Sequence, residues 1–170
     1  VQGGKRMMTN AGTHVPLIAN WPKTIPGKQV KVDLVDFSDL LPTMLDATQS
    51  PLPTNLTLDG QSFLPQITGK QGNPRKWVHC YYRRGNEKAQ QWTRTQRYKL
   101  YKTGKFYDVS QDRLEKKPLS TLTPDPKKTR AMLQGALDQF DPNNKATEID
   151  PFANGNFSQW TNANGQPGQT

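Results

Sequence analysis

Arg97-Tyr98-Lys99-Leu100-Tyr101-Lys102-Thr103-Gly104-Lys105-Phe106-Tyr107-Asp108-Val109 reads as two strands and the turn between them. Aromatic side chains suit a pleated, half-buried surface, and Thr103-Gly104 interrupts the run with the residue that most readily takes a left-handed turn conformation. Upstream, Gln91-Trp92-Thr93-Arg94-Thr95 and Trp77-Val78-His79-Cys80-Tyr81-Tyr82 read as two further strands. Four short strands in succession imply an antiparallel meander. In residues 97–101 charged side chains alternate with aromatic ones, so one face of the sheet is expected to be wet and the other packed on a helix. Downstream, Thr123-Pro124-Asp125-Pro126 starts that helix, and Met132, Leu133, Ala136, Leu137 and Phe140 form its apolar stripe. From about Asp141 the chain turns to Asn, Gly, Gln and Ser, the composition of a mobile tail.

Further toward the N-terminus, Leu58-Asp59-Gly60-Gln61-Ser62-Phe63-Leu64-Pro65-Gln66-Ile67 predicts a turn and then one helical turn that places Phe63, Leu64 and Ile67 on the core. Leu40, Leu41, Met44 and Leu45 recur at helical spacing. Ser38 or Asp39 can cap that helix, and Pro42 stands near its first turn, where a missing N–H matters least. Val30, Val32 and Leu34 alternate with Lys31 and Asp33, the period of a half-buried strand. Residues 15–19, Val-Pro-Leu-Ile-Ala, read as a buried strand. In front of them stands Gly3-Gly4-Lys5-Arg6-Met7-Met8-Thr9-Asn10-Ala11-Gly12-Thr13-His14. Glycines let a backbone approach a ligand closely, and a lysine supplies a compact point charge for an oxyanion.

Only 32% of the 170 residues are hydrophobic, against 13 Gly and 14 Pro, so a modest core with long connections is expected. The formal charge of +9 suggests an anionic partner. The basic residues are scattered, without a helix-turn-helix, an RNA-binding strand motif or zinc spacing, so nucleic acid is not the expected partner. No stretch approaches the roughly 20 apolar residues of a membrane span. Oligomeric state is open. One cysteine, Cys80, rules out an internal disulfide. Beginning at Val1 rather than Met, the chain looks like a piece of something longer.

The glycine-lysine stretch resembles a segment of the sulfatase family, Gly-x-Lys-Gly, then Glu-Gly-Gly-x-Arg-Val-Pro, then an apolar strand ending in Trp-Pro-Gly. Lys5 falls on the family lysine that contacts the substrate sulfate, Gly12 on the second glycine, and Val15-Pro16 and Trp21-Pro22 on their counterparts. The chain departs from the pattern at Asn10-Ala11, at Lys23, and at His14, which stands where the family has arginine. Asp39-Leu40-Leu41-Pro42-Thr43-Met44-Leu45, Leu58-Asp59-Gly60, Arg97-Tyr98-Lys99-Leu100 and Asp112-Arg113-Leu114-Glu115 are similar to further sulfatase strings in the family's order, over roughly residues 2–140. The resemblance implies an α/β fold, the C-terminal fragment of an alkaline-phosphatase-like sulfatase fold, ending in a small four-stranded antiparallel sheet packed with a C-terminal helix. Residues 1–70 would close the catalytic α/β domain, 71–145 would form the antiparallel-sheet subdomain with its closing helix, and 146–170 a flexible tail. It also implies hydrolysis of a small-molecule or glycan sulfate ester by a formylglycine nucleophile with Ca²⁺, whose ligands would lie upstream of this chain. A periplasmic or secreted setting follows from the same resemblance.

Within that chemistry Lys5 would neutralise sulfuryl oxygens, and His14 would bond the substrate or its leaving oxygen. Arg83 and Arg84, after the first aromatic strand, would line the mouth of the substrate pocket. Cys80 lies outside any Cys-x-Pro-x-Arg motif, no such motif occurs in these residues, and its neighbour His79 points to the opposite face of a strand. Cys80 is therefore expected to be an inert thiol, and the chain alone to be inactive. Asp33, Asp36 and Asp39, spread over a strand end and a helix cap, do not converge as a Ca²⁺ site requires, so no metal ligand is assigned here. In the other class of reading, Lys99, Lys102, Lys105, Lys127 and Lys128 form a charged face that binds sulfated glycan or another polyanion without turnover. A phosphate-hydrolysing relative of the same superfamily is less favoured, because the Leu-Asp-Gly and Asp-Leu-x-Pro-Thr strings belong to sulfatases.

Overall fold

The computed structural model describes residues 3–54, 57–83 and 88–140. Residues 1–137 form one unit and 138–170 a second, of which residues 138–140 are described. The expected tail, 146–170, lies outside the described residues.

The centre of the first unit is an antiparallel sheet of β1 (Val78–Tyr82), β2 (Gln90–Arg94), β3 (Tyr98–Tyr101) and β4 (Phe106–Asp108), in sequence order. The meander read from the aromatic runs is therefore present. Its registers align Cys80 with Trp92 and Trp92 with Tyr101, and align Thr93 with Leu100 and Leu100 with Phe106. Gly104, at φ 85°, makes the β3–β4 turn and donates its N–H to the Tyr101 carbonyl at 2.9 Å. That conformation strains any residue with a Cβ.

Helix α4 (Pro124–Asp138) covers one face. Leu133 and Leu137 pack with Tyr98, Leu100 and Phe106. The buried Thr93 hydroxyl donates to the Leu133 carbonyl at 2.9 Å, which binds strand to helix directly. Of the expected stripe, Leu133, Ala136 and Leu137 are buried and Met132 is exposed, while Phe140, also exposed, falls beyond the end of the helix.

The opposite face is not wet, which corrects the expectation from alternation. Val78, Trp92 and the N-terminal Met8 form a second core, joined by Leu34, Cys80, Tyr82 and Tyr101. Lys99 on this face has 0% exposure. A charged residue on a strand marks a wet face only if nothing covers it. Here its ammonium is paired inside the cover instead.

Upstream, α1 (Asn10–Thr13) is a single turn. A 3₁₀ turn, Phe37–Asp39, leads into α2 (Leu40–Ala47). The Asp36 carboxylate accepts from the Ser38 N–H at 2.9 Å and that of Asp39 accepts from the Asp36 N–H at 2.9 Å, a reciprocal cap one turn earlier than the sequence suggests. Helix α3 (Leu64–Ile67) follows Phe63, which is buried, while Leu64 and Ile67 are half-buried. Gly60 meets the backbone here: a Cβ on it would stand 1.9 Å from the Ser38 carbonyl oxygen.

Two expected strands do not form. Residues 15–19 and 30–34 lie outside regular elements, with Ile18 and Val30 each 89% exposed and only Asp33 and Leu34 half-buried. A strand needs a neighbouring edge to bond with, and among the described residues neither segment pairs with the sheet. No helix among the described residues is long and apolar enough to cross a membrane.

Candidate functional site

Lys5 stands on a tight turn. The Met7 N–H donates to the Gly4 carbonyl at 2.9 Å, and Arg6 takes φ 72°, a left-handed conformation that costs a non-glycine residue about 1 kcal/mol. Gly4 is buried, whereas Lys5 and Arg6 are exposed. Among the described residues no carboxylate pairs with Lys5. The turn is closed from behind by Gly12, on which a Cβ would stand 2.1 Å from the Met7 carbonyl oxygen and 2.3 Å from that of Gly4. Only glycine permits that approach. The chain then turns through α1, where the Gly12 and Thr13 N–H groups bond the Thr9 carbonyl at 2.9 and 3.1 Å. His14 follows, its own N–H donating to Asn10 O at 3.0 Å and its side chain exposed. Lys5 and His14 thus leave the two ends of one closed loop.

That loop is fastened to the sheet by buried polar bonds. Lys99 Nζ donates to the Met8 carbonyl at 2.6 Å and to Glu115 Oε1 at 3.0 Å. The Tyr101 hydroxyl gives its one proton to Glu115 Oε2 and stands 3.1 Å from the same Met8 carbonyl. Glu115 Oε1 also accepts the Asn10 N–H at 2.8 Å, and Arg94 Nη1 donates to Asn10 Oδ1 at 2.8 Å. The Lys99 ammonium lies 4.3 Å from the Trp92 ring centroid and 4.9 Å from that of Tyr101. Burial pulls the Lys99 pKa down from 10.5 to about 8, against the opposing attraction of Glu115. Burial, and then the bond to Glu115, push the Tyr101 phenol far above its ordinary value.

A second buried pair fixes the segment before α2. Asp39 accepts from Arg75 Nε at 2.7 Å, from the Asp36 N–H at 2.9 Å and from the Gln61 N–H at 2.8 Å. Burial raises its carboxyl pKa, but the Arg75 and backbone bonds outweigh that and hold it below the ordinary 3.8. Asp39 is thereby committed to Arg75 and Asp36 to its cap. No group of three or more His, Cys, Asp or Glu comes together for a metal among the described residues. The buried carboxylates of Asp39 and Glu115 are taken up by Arg75, Lys99 and backbone N–H groups, so they do not fit a Ca²⁺ ion.

Arg83 follows β1 and is exposed, and Arg84 lies outside the described residues. Tyr82, the residue before Arg83, packs in the same core as Met8. Cys80 is half-buried, and burial raises its thiol pKa, as suits an inert cysteine. The proposed basic face does not hold together: Lys99 is inside the protein, and Lys127 and Lys128 belong to α4 on the other side of the sheet. Sequence reading missed the roles of Lys99, Tyr101 and Glu115. The signal available was the sulfatase-like string ending at Glu115, which drew attention to that residue without indicating its partners.

Comparison with known proteins places these features in company. A family model described as N-sulphoglucosamine sulphohydrolase, C-terminal, matches residues 3–141. The chain is 33% identical over 76 residues to an ulvan-active sulfatase of Formosa agariphila, covering 45% of this chain and 15% of that protein. It is 44% identical over 61 residues to human arylsulfatase K, covering 36% of this chain and 11% of the relative. It is 31% identical over 109 residues to the N-acetylgalactosamine-6-sulfatase of Canis lupus familiaris, covering 59% of this chain and 20% of the relative. The chain thus spans a fifth or less of the length of these relatives.

Proposed function

The chain belongs to the N-sulphoglucosamine sulphohydrolase C-terminal family of sulfatases, and from that premise we propose that it serves, within a full-length sulfatase, the hydrolysis of a sulfate ester by carrying the cation that meets the sulfate. The observation that carries this reading is Lys5 itself. It is exposed, pairs with no carboxylate among the described residues, and stands on a turn that Gly12 and the buried Met8 hold in one shape. A sulfate ester gathers charge on its sulfuryl and leaving oxygens as the bond from sulfur to the alcohol oxygen breaks. A preset ammonium lowers the free energy of that state more than that of the ground state. His14, at the other end of the loop, bonds the leaving oxygen, and Arg83 and Arg84 steer the anion inward. The formylglycine nucleophile and Ca²⁺ of the sulfatase reaction are not supplied by the described residues, so the 170-residue chain alone should not turn over substrate.

The test is Lys5→Ala in the full-length protein with p-nitrophenyl sulfate as probe. Loss of one such charge should lower kcat/KM by about 100- to 1000-fold. A Lys5→Ala enzyme within threefold of wild type would overturn the assignment. Turnover by the isolated chain would overturn its predicted inactivity.

A further inference from the structure

We propose that the buried cluster of Lys99, Tyr101 and Glu115 is a positioning device for the Lys5 loop, so that the small antiparallel sheet, across the whole length of the described chain, sets where the sulfate-binding lysine stands. The inference rests on the sulfate-ester reading for its consequence in catalysis, and on geometry alone for the tether.

The three side chains bond one another, but they also converge on main-chain atoms of a single short segment. Met8 O receives Lys99 Nζ with the Tyr101 hydroxyl 3.1 Å away, and the Asn10 N–H goes to Glu115 Oε1. The next rung, Arg94 to Asn10 Oδ1, reaches the same segment from β2. These bonds join residues 84 to 105 positions apart. Met8 is three residues from Lys5. Between them the closed 4–7 turn, with Arg6 at φ 72° and Gly12 against two of its carbonyls, leaves little freedom to absorb a shift. A displacement of the Met8 carbonyl therefore passes to Lys5.

Stability alone is a poor reason for such a cluster. A buried ion pair rarely outperforms well-packed apolar side chains of the same volume, because both charges must leave water. What the pair supplies is direction: an ammonium aimed at one carbonyl oxygen and a carboxylate aimed at one N–H, with the Tyr101 hydroxyl holding the carboxylate in place. Glu115 adopts φ 55°, one of five non-glycine residues in the left-handed region among the described residues, and here the surrounding bonds sustain it. Around the cluster stand Cys80 on β1, Arg94 on β2 and Tyr107 on β4, the remaining titratable groups that bear on Lys99 or Tyr101.

The experiment is a double-mutant cycle in the full-length protein. One arm is Lys99→Met combined with Glu115→Gln, which removes both charges together. The other is Tyr101→Phe, which keeps the volume and both charges and serves if the first variant folds poorly. Each is made with Lys5 and with Lys5→Ala. Amide hydrogen exchange of residues 4–13 should accelerate at least tenfold in the cluster variants while the amides of β2 and β3 hold. With Lys5 present, kcat on p-nitrophenyl sulfate should fall by about 100-fold, the scale of a misplacement near 1 Å. In the Lys5→Ala background the same variants should cost less than about threefold, because the group they position is gone. Equal costs in both backgrounds, or unchanged exchange in residues 4–13, would overturn the proposal. If wild type cleaves no sulfate ester, the functional reading fails, and the exchange result alone decides whether the tether exists.

Discussion

Residues 98–101 and residues 15–19 look alike as sequence, short runs rich in large side chains, yet they end in opposite circumstances. The first becomes β3, with Tyr98, Lys99 and Leu100 at 5% exposure or less. The second forms no strand, with Val15, Leu17 and Ile18 at 55, 54 and 89% exposure. The difference lies in what each finds beside it. Residues 98–101 have β2 on one edge, β4 on the other, α4 above and the Met8 segment below. Residues 15–19 meet no free edge among the described residues. Apolar content makes burial favourable, but it does not provide the surface to be buried against.

The largest test of that contrast is Lys99→Met alone, in the middle of β3. It leaves Glu115 buried without its cation, and a buried charge stripped of its partner costs about 3–5 kcal/mol, measured by denaturant unfolding of the chain. A loss below 1 kcal/mol would mean that the cover over this face is looser than its 0% exposure indicates.

Arg75→Met is smaller, about 2 kcal/mol, because Arg75 keeps 14% of its side chain in water. It also carries a pH signature. The Asp39 carboxyl is depressed in the folded protein, so the unfolded chain binds more protons as pH falls past 3.8. The contribution is complete above that value and is lost as pH drops through the folded pKa. In Arg75→Met the buried Asp39 loses the bonds that held it ionised, so this part of the acid limb should shrink or reverse. An unchanged acid limb would remove Asp39 from the account.

Ile18→Ser, in the exposed run, should change the stability of the 170-residue chain by less than about 0.5 kcal/mol. A loss above 1 kcal/mol would show that residues 15–19 are covered after all.

Much of the fold could be read in advance because it is local. The aromatic runs, the Gly104 turn, the stripe of Leu133, Ala136 and Leu137, and the helical spacing around Leu40 each depend on residues a few positions apart. The candidate site was half legible. Lys5, Gly12 and His14 were visible as a glycine-lysine stretch, and Gly12 proved to be a point of close backbone approach. Lys99 was misread because alternation reports which side of a strand a residue faces, not whether that side is covered.

The sequence by itself determined the strand meander, its closing helix and the sulfatase kinship, since each is written in neighbouring residues. Only the tertiary structure decided that Lys99, Tyr101 and Glu115 meet Met8 and Asn10, and that residues 15–19 stay uncovered. Such outcomes depend on which surfaces and hydrogen-bonding groups the folded chain brings together from 91 or more residues away, and sequence periodicity holds no record of that.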